Sequence, residues 1–336
     1  MRVPEHIQRV DDALRRTGEL LASGWTERGI ARRVREKRLI RIARGWYAPA
    51  ADWNAWHPSD RQLARVIIAH RGATRPPLFT HTSAAVLLGL PIWELPDSRV
   101  HLAAETSGAS RPGMSRHQQQ VEPDDIVSVA GIRCTSADRT LIDLASLAGE
   151  ETLVGVADAV LRSAVEQEGR GSRAFDAARS ESWRHRMRER IAGARGRRGV
   201  RALRRAIEFA DARADSVLES VSRLQFRRLG IDVDLQIRVP NPDGGCWYVD
   251  FELRGLGILG ESDGDAKYTD QRLRGSRTAA ETVLREKKRD NRISGITGKR
   301  LIHWGYEDVR TLEAFARMLR SFGVPVSPLV PERARR

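Results

Sequence analysis

Three successive stretches in the last third of the chain have the patterns of β-strands. VDLQIRV alternates polar and apolar residues, NPDGG provides a turn, and CWYVDFEL and LGILGESDG follow as a second and a largely apolar third strand. A helical pattern in SVLESVSRLQFRRLG precedes them and ends at Gly230, while a long polar helix, the strand KRLIHWGY and a closing helix come after. We therefore predict an α/β unit with the order helix, three-strand meander, helix, strand and helix.

Four carboxylates lie in the second and third predicted strands. Period-two alternation puts Asp250 and Glu252 on one face of the second strand, and Glu261 and Asp263 on one face of the third. So many acids on a face are costly unless a cation or arginine side chains neutralise them. They form either the solvated face of an acidic hairpin or the oxygen ligands of a metal-dependent nuclease. For the second interpretation Mg²⁺ is the expected cofactor, because it prefers oxygen ligands, polarises phosphate and lowers the pKa of bound water.

The charge of the whole chain indicates a polyanionic partner. Its 336 residues contain 58 Lys and Arg against 44 Asp and Glu, which gives a formal net charge of +14. Nucleic acid is the first candidate and an anionic membrane surface the second. Two distant cysteines, Cys134 and Cys246, exclude a disulfide framework and a zinc finger. Without an apolar run of membrane-spanning length or an export signal, we expect a cytoplasmic protein with no membrane partner.

The first 50 residues have the pattern of two short helices, a basic helix and a basic hairpin. Thr26 is the expected N-cap of ERGIARRVREKRL, and LIRIARGWYAP turns near Arg44-Gly45. This is the order of a winged helix-turn-helix, whose third helix enters the major groove of double-stranded DNA. The alternative is a small helical domain with a solvated arginine face. The candidate DNA-binding residues are Arg28, Arg32, Arg35, Arg38, Arg41 and Arg44.

The middle of the chain has less specific signals. Residues 51–165 have mixed helix and strand patterns, and their histidines, which include His70, His81, His101 and His117, lack metal-ligand spacing, so we expect no metal role for them. Between residues 170 and 205, thirteen arginines stand against three acidic residues, and few large apolar residues occur. This segment predicts exposed basic helices and a linker that contacts phosphate or is merely solvated.

Five C-terminal stretches resemble a known fold family. SVLESVSRL, YVDF, GESDG, REKKRDNRI and KRLIHWGYEDV are similar to the PD-(D/E)XK nuclease core, and more closely to its branch like the very-short-patch-repair endonucleases. The resemblance implies a restriction-endonuclease-like α/β core with a mixed sheet. It implies catalytic roles for Glu219, Asp250, Glu261 and Asp263, with Asp250 and Glu261 as the ligands of Mg²⁺.

One position departs from the pattern of that family. The general motif has a lysine two residues after the acid of strand three, where this chain has Asp263. Lys267 and Arg289 are the candidates for the missing positive charge, and Gln236 is a further residue that faces the predicted site. The departure leaves two interpretations open, an active nuclease and a nuclease fold used only for binding.

The N-terminal and middle stretches also carry a resemblance. LIRIARGWYAP, AAVLLGLPIW, GIRCTSADRTLIDLA and GVADAVLRSA are similar to actinobacterial proteins with an AbiEi-type antitoxin region. Those antitoxins are winged-helix repressors, so the resemblance implies an antitoxin-like transcriptional regulator with a cognate toxin as partner. The alternative is a Mg²⁺-dependent DNA endonuclease targeted by its winged helix. The predicted domains are a winged helix-turn-helix at 1–50, an α/β middle domain at 51–165, a basic helical linker at 166–212, an endonuclease-like domain at 213–325 and a basic tail at 326–336.

Overall fold

The chain divides into two compact units in a computed structural model. The described residues are 3–95, 97–104, 112–166, 176–194, 196–263 and 279–327. The first unit comprises Met1–Val156 and Met187–Arg205, and the second comprises Ala157–Arg186 and Ala206–Arg336. The predicted multi-domain α/β class is confirmed, because both units combine helices with β-sheets. Among the described residues, no helix is long and apolar enough to cross a membrane.

The first unit begins with the predicted order of two helices, a basic helix and a hairpin. Its elements are α1 (Glu5–Ala13), β1 (Arg15–Arg16), α2 (Thr17–Ala22), α3 (Glu27–Arg35), β2 (Leu39–Ala43) and β3 (Trp46–Pro49). Thr26 caps α3 as predicted, since its hydroxyl accepts a hydrogen bond from the Gly29 N–H at 3.1 Å. Gly45 takes a left-handed φ of +76° in the turn between β2 and β3. The strand β1 was not predicted, and it completes an antiparallel sheet in the order β1-β3-β2.

The rest of the first unit mixes short helices with two small pairs of strands. The elements are α4 (Ala50–Ala55), α5 (Pro58–Arg71), α6 (His81–Leu87), β4 (Val100–Ala104), β5 (Met114–Gln118), β6 (Ile126–Val129), β7 (Ile132–Thr135) and α7 (Ala137–Leu144). The strands β4 and β5 pair in parallel, and β6 and β7 pair antiparallel. The mixed helix and strand patterns predicted for residues 51–165 are confirmed by these elements. The segment MSRHQ of β5 is polar and has no strand pattern of its own. It forms a strand by pairing with β4.

Three helices contain the points where the chain passes from one unit to the other. They are α8 (Glu150–Glu166), α9 (Ala177–Ile191) and α10 (Val200–Phe209). Helices were predicted in the basic segment, but the expectation that they are exposed is wrong for one face of α9. Trp183, Met187 and Ile191 recur every four residues there and are buried. Arg170, Arg173 and Arg195 of the predicted linker lie outside the described residues.

The second unit has the predicted order of helix, three-strand meander, helix, strand and helix. Its elements are α11 (Val217–Leu229), β8 (Val233–Pro240), β9 (Cys246–Leu253), β10 (Ile258–Ser262), α12 (Ala279–Thr297), β11 (Arg300–Trp304), α13 (Tyr306–Val309) and α14 (Leu312–Ser321). The sheet order is β11-β10-β9-β8, with β10 and β11 parallel and the other neighbours antiparallel. The predicted mixed sheet is therefore present. Most of the predicted basic tail, residues 328–336, lies outside the described part of the chain.

An aromatic cluster fixes the strands β9, β10 and β11 against α11 and α14. Phe226, Phe251, Trp304 and Phe315 have ring centroids 4.8–5.7 Å apart. The Trp304 ring lies directly over Gly260, where an added Cβ would be 2.4 Å from two ring carbons. Glycine at this position of β10 thus lets the indole close the core.

Candidate functional site

A row of exposed arginines covers α3 and the β2–β3 hairpin. Ile30 and Leu39 are buried and hold this part of the chain on the unit, while Val34 is partly buried between them. These apolar residues therefore form the inward face, and the arginines lie on the other face. All six candidate residues are exposed or half-exposed: Arg28, Arg32, Arg35, Arg38, Arg41 and Arg44.

Most of this positive charge has no acidic partner. Arg32 lies 3.8 Å from Glu36, an exposed pair that contributes little to stability. In the ranges that the structure describes, no carboxylate is within ion-pair distance of the other five arginines. Arg33, which the sequence did not single out, stacks on the Trp25 ring at 3.9 Å from its centroid. The surface can therefore attract phosphate without first breaking internal ion pairs.

Asp250 lies where the two central strands of the second unit separate. The pairing between β9 and β10 ends at Gly260 and Phe251, and Asp250 is the next residue on β9. Its Oδ2 accepts hydrogen bonds from the backbone N–H and the hydroxyl of Ser262, each at 3.0 Å. Burial raises the pKa of Asp250, and the negative charges of Glu261 and Asp263 raise it further, against the lowering effect of the Ser262 hydrogen bonds.

Glu219 reaches the same region from the first turn of α11. Its side chain is buried, and Oε2 accepts hydrogen bonds from the Asp215 N–H at 2.9 Å and the Gln236 Nε2 at 3.2 Å. Burial, and then the nearby charge of Asp250, raises the pKa of Glu219 to about 7. Gln236 itself has a left-handed φ of +53°, which is rare for a side-chain-bearing residue in a strand. The predicted approach of Glu219, Asp250 and Gln236 is therefore observed.

Glu261 is held by a guanidinium from α12. Arg289 contacts both carboxylate oxygens of Glu261 at 2.7 and 2.8 Å and also donates to the Tyr248 carbonyl at 2.9 Å. Arg289 was predicted as one substitute for the missing lysine. Its guanidinium does contact Glu261, the acid of the third strand. Lys267, the other substitute, lies outside the described residues.

His303 on β11 completes a second group of ligand-type side chains. It is the register partner of Glu261 and contacts Asp263 Oδ2 through Nδ1 at 3.0 Å and Asp290 Oδ2 through Nε2 at 3.1 Å. The hydrogen bond to Asp263, followed by the charges of Asp263, Asp290 and Glu261, raises the pKa of His303 to about 9 despite its partial burial. At neutral pH His303 is therefore an imidazolium that donates both protons, and Asp263 pairs with it.

The donor set can accommodate a divalent cation. Ligand atoms of Glu261, Asp290 and His303 all lie within 4.8 Å of one another. Asp290 Oδ1 is buried and accepts no hydrogen bond within the described ranges, and Arg289 Nη1 is 3.7 Å away. Carboxylates suit Mg²⁺ and Mn²⁺, and the ring nitrogen of a neutral histidine is a ligand for softer transition metals. Such an ion would compete with Arg289 and with the His303 proton for the same acids.

The sequence did not predict Asp290 and His303 as possible metal ligands. The signal for His303 lies in the strand order, because a parallel β10–β11 pair brings residue 303 beside residue 261. The predicted pair Asp250 and Glu261 interacts electrostatically. Asp250 nevertheless stands outside the group formed by Glu261, Asp290 and His303.

Comparison with known proteins identifies two similar chains and no family. No family model matches the sequence. Two proteins of Mycobacterium tuberculosis, Uncharacterized protein MT2308 from strain CDC 1551 and Uncharacterized protein Rv2248 from strain H37Rv, are each 32% identical over 134 residues. The matched region covers 40% of this chain and 44% of each relative, so the chain spans less than half the length of these proteins.

Proposed function

We propose that this chain is a double-stranded-DNA-binding regulator of the antitoxin-like kind, with an endonuclease-type C-terminal unit. The observation that carries the DNA-binding part is the exposed arginine surface of α3 and the β2–β3 hairpin. In a winged helix-turn-helix the third helix enters the major groove and the hairpin contacts the backbone or the minor groove. A cognate toxin as partner and a cytoplasmic location belong to the same proposal.

The arrangement of charges supports this docking mode. Arg28, Arg32 and Arg35 follow one another at spacings of four and three residues, so they lie along one stripe of α3. Arg41 and Arg44 lie on the hairpin that follows. Exposed arginines without carboxylate partners neutralise phosphates and release counterions, which gives affinity that falls steeply with salt.

The test replaces Arg32, Arg35, Arg41 and Arg44 together by alanine. Affinity for a mixed-sequence DNA duplex should fall, and the slope of log affinity against log salt should become shallower by roughly 0.9 for each phosphate that the variant no longer neutralises. Replacing the same four residues by lysine is the matched control, because charge is kept and the steep salt dependence should remain. Equal affinity and slope in the wild type and the alanine variant, with both folded by circular dichroism, would contradict the proposal.

A Mg²⁺-dependent endonuclease is the second candidate. It is favoured by the buried Glu219 and the half-buried Asp250, which interact with each other, and by the group of Glu261, Asp290 and His303. A divalent cation held by such carboxylates supplies polarisation of the phosphate and a more acidic bound water. Arg289 contributes positive charge at Glu261, and His303 holds a proton close to the same acids.

Plasmid nicking separates the two candidates. If the chain is an endonuclease, the wild type nicks supercoiled plasmid with Mg²⁺ or Mn²⁺, and the variants Asp250→Asn and Glu261→Ala lose this activity. Glu252→Gln is the matched control on β9, because Glu252 pairs with Lys299 instead. Nicking by all four proteins alike, or in the presence of a chelator, would mean that the activity comes from elsewhere. No nicking by the wild type rejects the enzyme and leaves the DNA-binding proposal standing.

A further inference from the structure

Three histidines that are far apart in the sequence meet inside the first unit. His81 opens α6, His101 lies in β4, and His117 lies in the neighbouring parallel strand β5. Their ring centroids are 3.8, 5.1 and 5.6 Å apart, and one ring nitrogen of each lies within 4.8 Å of the others. His81 and His101 are buried and His117 is half-buried, so His117 is the most accessible of the three.

A carboxylate fixes the proton of His101. Asp97 Oδ1 lies 3.1 Å from His101 Nε2, and Asp97 is itself held by the Arg99 guanidinium at 2.6 and 2.9 Å. An ionised carboxylate only accepts hydrogen bonds, so Nε2 of His101 carries the proton. The lone pair of His101 is therefore on Nδ1, which points at His117 Nε2 from 2.8 Å.

A second hydrogen-bond chain fixes the proton of His81. The Thr80 hydroxyl donates to Asp143 Oδ2 at 2.5 Å, so its oxygen can only accept from its other neighbours. Those neighbours are Gln119 Nε2 at 3.1 Å and His81 Nδ1 at 3.2 Å. His81 therefore donates through Nδ1 and keeps its lone pair on Nε2.

This arrangement has the features of a histidine metal site. Ligand histidines are normally oriented by a carboxylate or another acceptor on the outer ring nitrogen, as His101 is by Asp97 and His81 is by Thr80. His81 also has a left-handed φ of +52°, a conformation that costs energy in a residue with a side chain and often marks functional positions. Burial, together with the neighbouring histidines, holds the pKa of His81 at about 2 and that of His117 at about 4, so both rings are neutral.

The distances between the three histidine rings are compatible with a four-coordinate ion once the His117 ring reorients. Metal–nitrogen bonds of about 2.0–2.1 Å put tetrahedral ligand nitrogens about 3.3 Å apart and their ring centroids about 5 Å apart. The His101–His117 and His81–His101 centroid distances of 5.1 and 5.6 Å are close to this value, whereas His101 Nδ1 and His117 Nε2, at 2.8 Å, have to separate by about 0.5 Å. The His81 and His117 rings are stacked face to face at 3.8 Å, so the half-buried His117 ring has to rotate out of the stack and move by about 1 Å before both lone pairs can meet one ion.

We propose that His81, His101 and His117 bind a divalent transition-metal ion of the zinc class in the first unit. Three neutral imidazoles suit Zn²⁺, Co²⁺ and Cu²⁺ better than Mg²⁺, which prefers oxygen. Three protein ligands leave a fourth position for water or an added ligand on the side of His117. The alternative is a buried histidine cluster held only by hydrogen bonds, in which the Nε2–H of His117 donates to Nδ1 of His101.

Cobalt titration of the tag-free, chelator-treated full chain tests the proposal. We expect one Co²⁺ per chain with the visible absorption intensity of four-coordinate cobalt, and its displacement by Zn²⁺. His117→Gln should abolish this signal, and Asp97→Ala should weaken binding by about 10–100-fold because His101 loses its orienting partner. His303→Gln is the matched control, since His303 belongs to the acidic group of the second unit.

Several outcomes would overturn the site. No cobalt signal in the wild type, an unchanged signal in folded His117→Gln, or equal losses in His117→Gln and His303→Gln all contradict it. If His117→Gln fails to fold, the unaltered chain still gives an answer through pulsed electron paramagnetic resonance of bound Cu²⁺. Modulation from two or more imidazoles is expected, whereas one imidazole or none contradicts the proposal, because the acidic group supplies only His303.

Discussion

The buried carboxyl of Glu219 shows how a residue of the candidate site can cost stability. Its pKa in the folded chain, about 7, lies above its ordinary value of 4.5, so ionisation opposes folding as pH rises through that range. Glu219→Gln keeps an oxygen that accepts from Asp215 and Gln236 but removes the charge beside Asp250. We expect the variant to be more stable than the wild type at about pH 8 by on the order of 1–2 kcal/mol, with little difference at about pH 4.

Denaturant unfolding at the two pH values measures this difference. Glu252→Gln is the matched control, because it removes a half-buried carboxylate that is paired with Lys299. A gain in stability at high pH that appears equally in Glu252→Gln, or that is absent in Glu219→Gln, would contradict the account.

His303 predicts a loss of stability over a higher pH range than Glu219 does. Its pKa is raised from 6.5 to about 9, so the stability it contributes is fully present below 6.5 and is lost as pH rises through about 9. His303→Gln should therefore lower the melting temperature at neutral pH, and the difference from the wild type should shrink above about pH 9. An NMR titration of the His303 ring gives the pKa directly. Titration near 6.5 would show that Asp263 and Asp290 do not hold the proton.

Some site residues were predictable from the sequence and others were not. Asp250 and Glu261 follow from the strand pattern and the family-like motifs, and Glu219 from the helix before them. His303 enters the site because β11 pairs in parallel with β10, and Asp290 because α12 brings it to the His303 ring, arrangements that local patterns do not encode. The same holds for His101 and His117, which the pairing of β4 with β5 brings together, and for His81, which lies on α6 beside β4.

Among the secondary-structure elements, β10 depends on one glycine to lie against β11. In Gly260→Ala the new methyl group would be 2.4 Å from Cη2 and Cζ3 of Trp304, whose indole N–H also donates to Ser222 at 2.8 Å. The ring cannot move without breaking that hydrogen bond, so we expect a loss of about 1–3 kcal/mol in the free energy of unfolding. Thermal and denaturant unfolding would measure it.

Gly295→Ala in α12 is the matched control for this substitution. Gly295 is exposed, and an added Cβ has nothing within 4 Å. Alanine favours the helical conformation by about 1 kcal/mol over glycine, so stability should be unchanged or higher. If Gly260→Ala is as stable as Gly295→Ala, the close approach of Trp304 does not determine the position of β10.

Elements with their own periodicity were predicted well, whereas those that depend on a partner were missed. The strands β8, β9 and β10 alternate or are apolar, and α11 ends at a left-handed Gly230, so the sequence alone located them. The two-residue β1 and the polar β5 have no such signal, because only their neighbours β3 and β4 give them strand structure. In α9, arginine content hid a buried face that a four-residue spacing of apolar side chains reveals.

For the whole molecule, a buried ion pair joins the two chain segments of the second unit. Arg223 Nη2 donates to both oxygens of Asp158 at 2.8 and 2.9 Å, and the side chains are 8% and 1% exposed. Asp158 belongs to Ala157–Arg186 and Arg223 to Ala206–Arg336. Asp158→Ala leaves a buried guanidinium without its carboxylate, so we expect a loss of about 3–5 kcal/mol in the free energy of unfolding.

Guanidinium denaturation of single and double variants tests that pair. The double replacement Asp158→Leu with Arg223→Met removes both charges and should recover much of the stability. A single variant as stable as the wild type would mean that water or other groups satisfy Arg223. A double variant no better than Asp158→Ala would mean that packing, and not the uncompensated charge, accounts for the loss.

The interleaved composition of the two units limits how such a gene can be recombined. Each unit needs two separated stretches of chain, and the passages between them fall within α8, α9 and α10. A single crossover between Ala157 and Arg205 would therefore join part of one unit from one parent to its remainder from another. Exchange that preserves both units needs either a whole-gene replacement or several coordinated junctions, so neither unit can be exchanged as one contiguous segment.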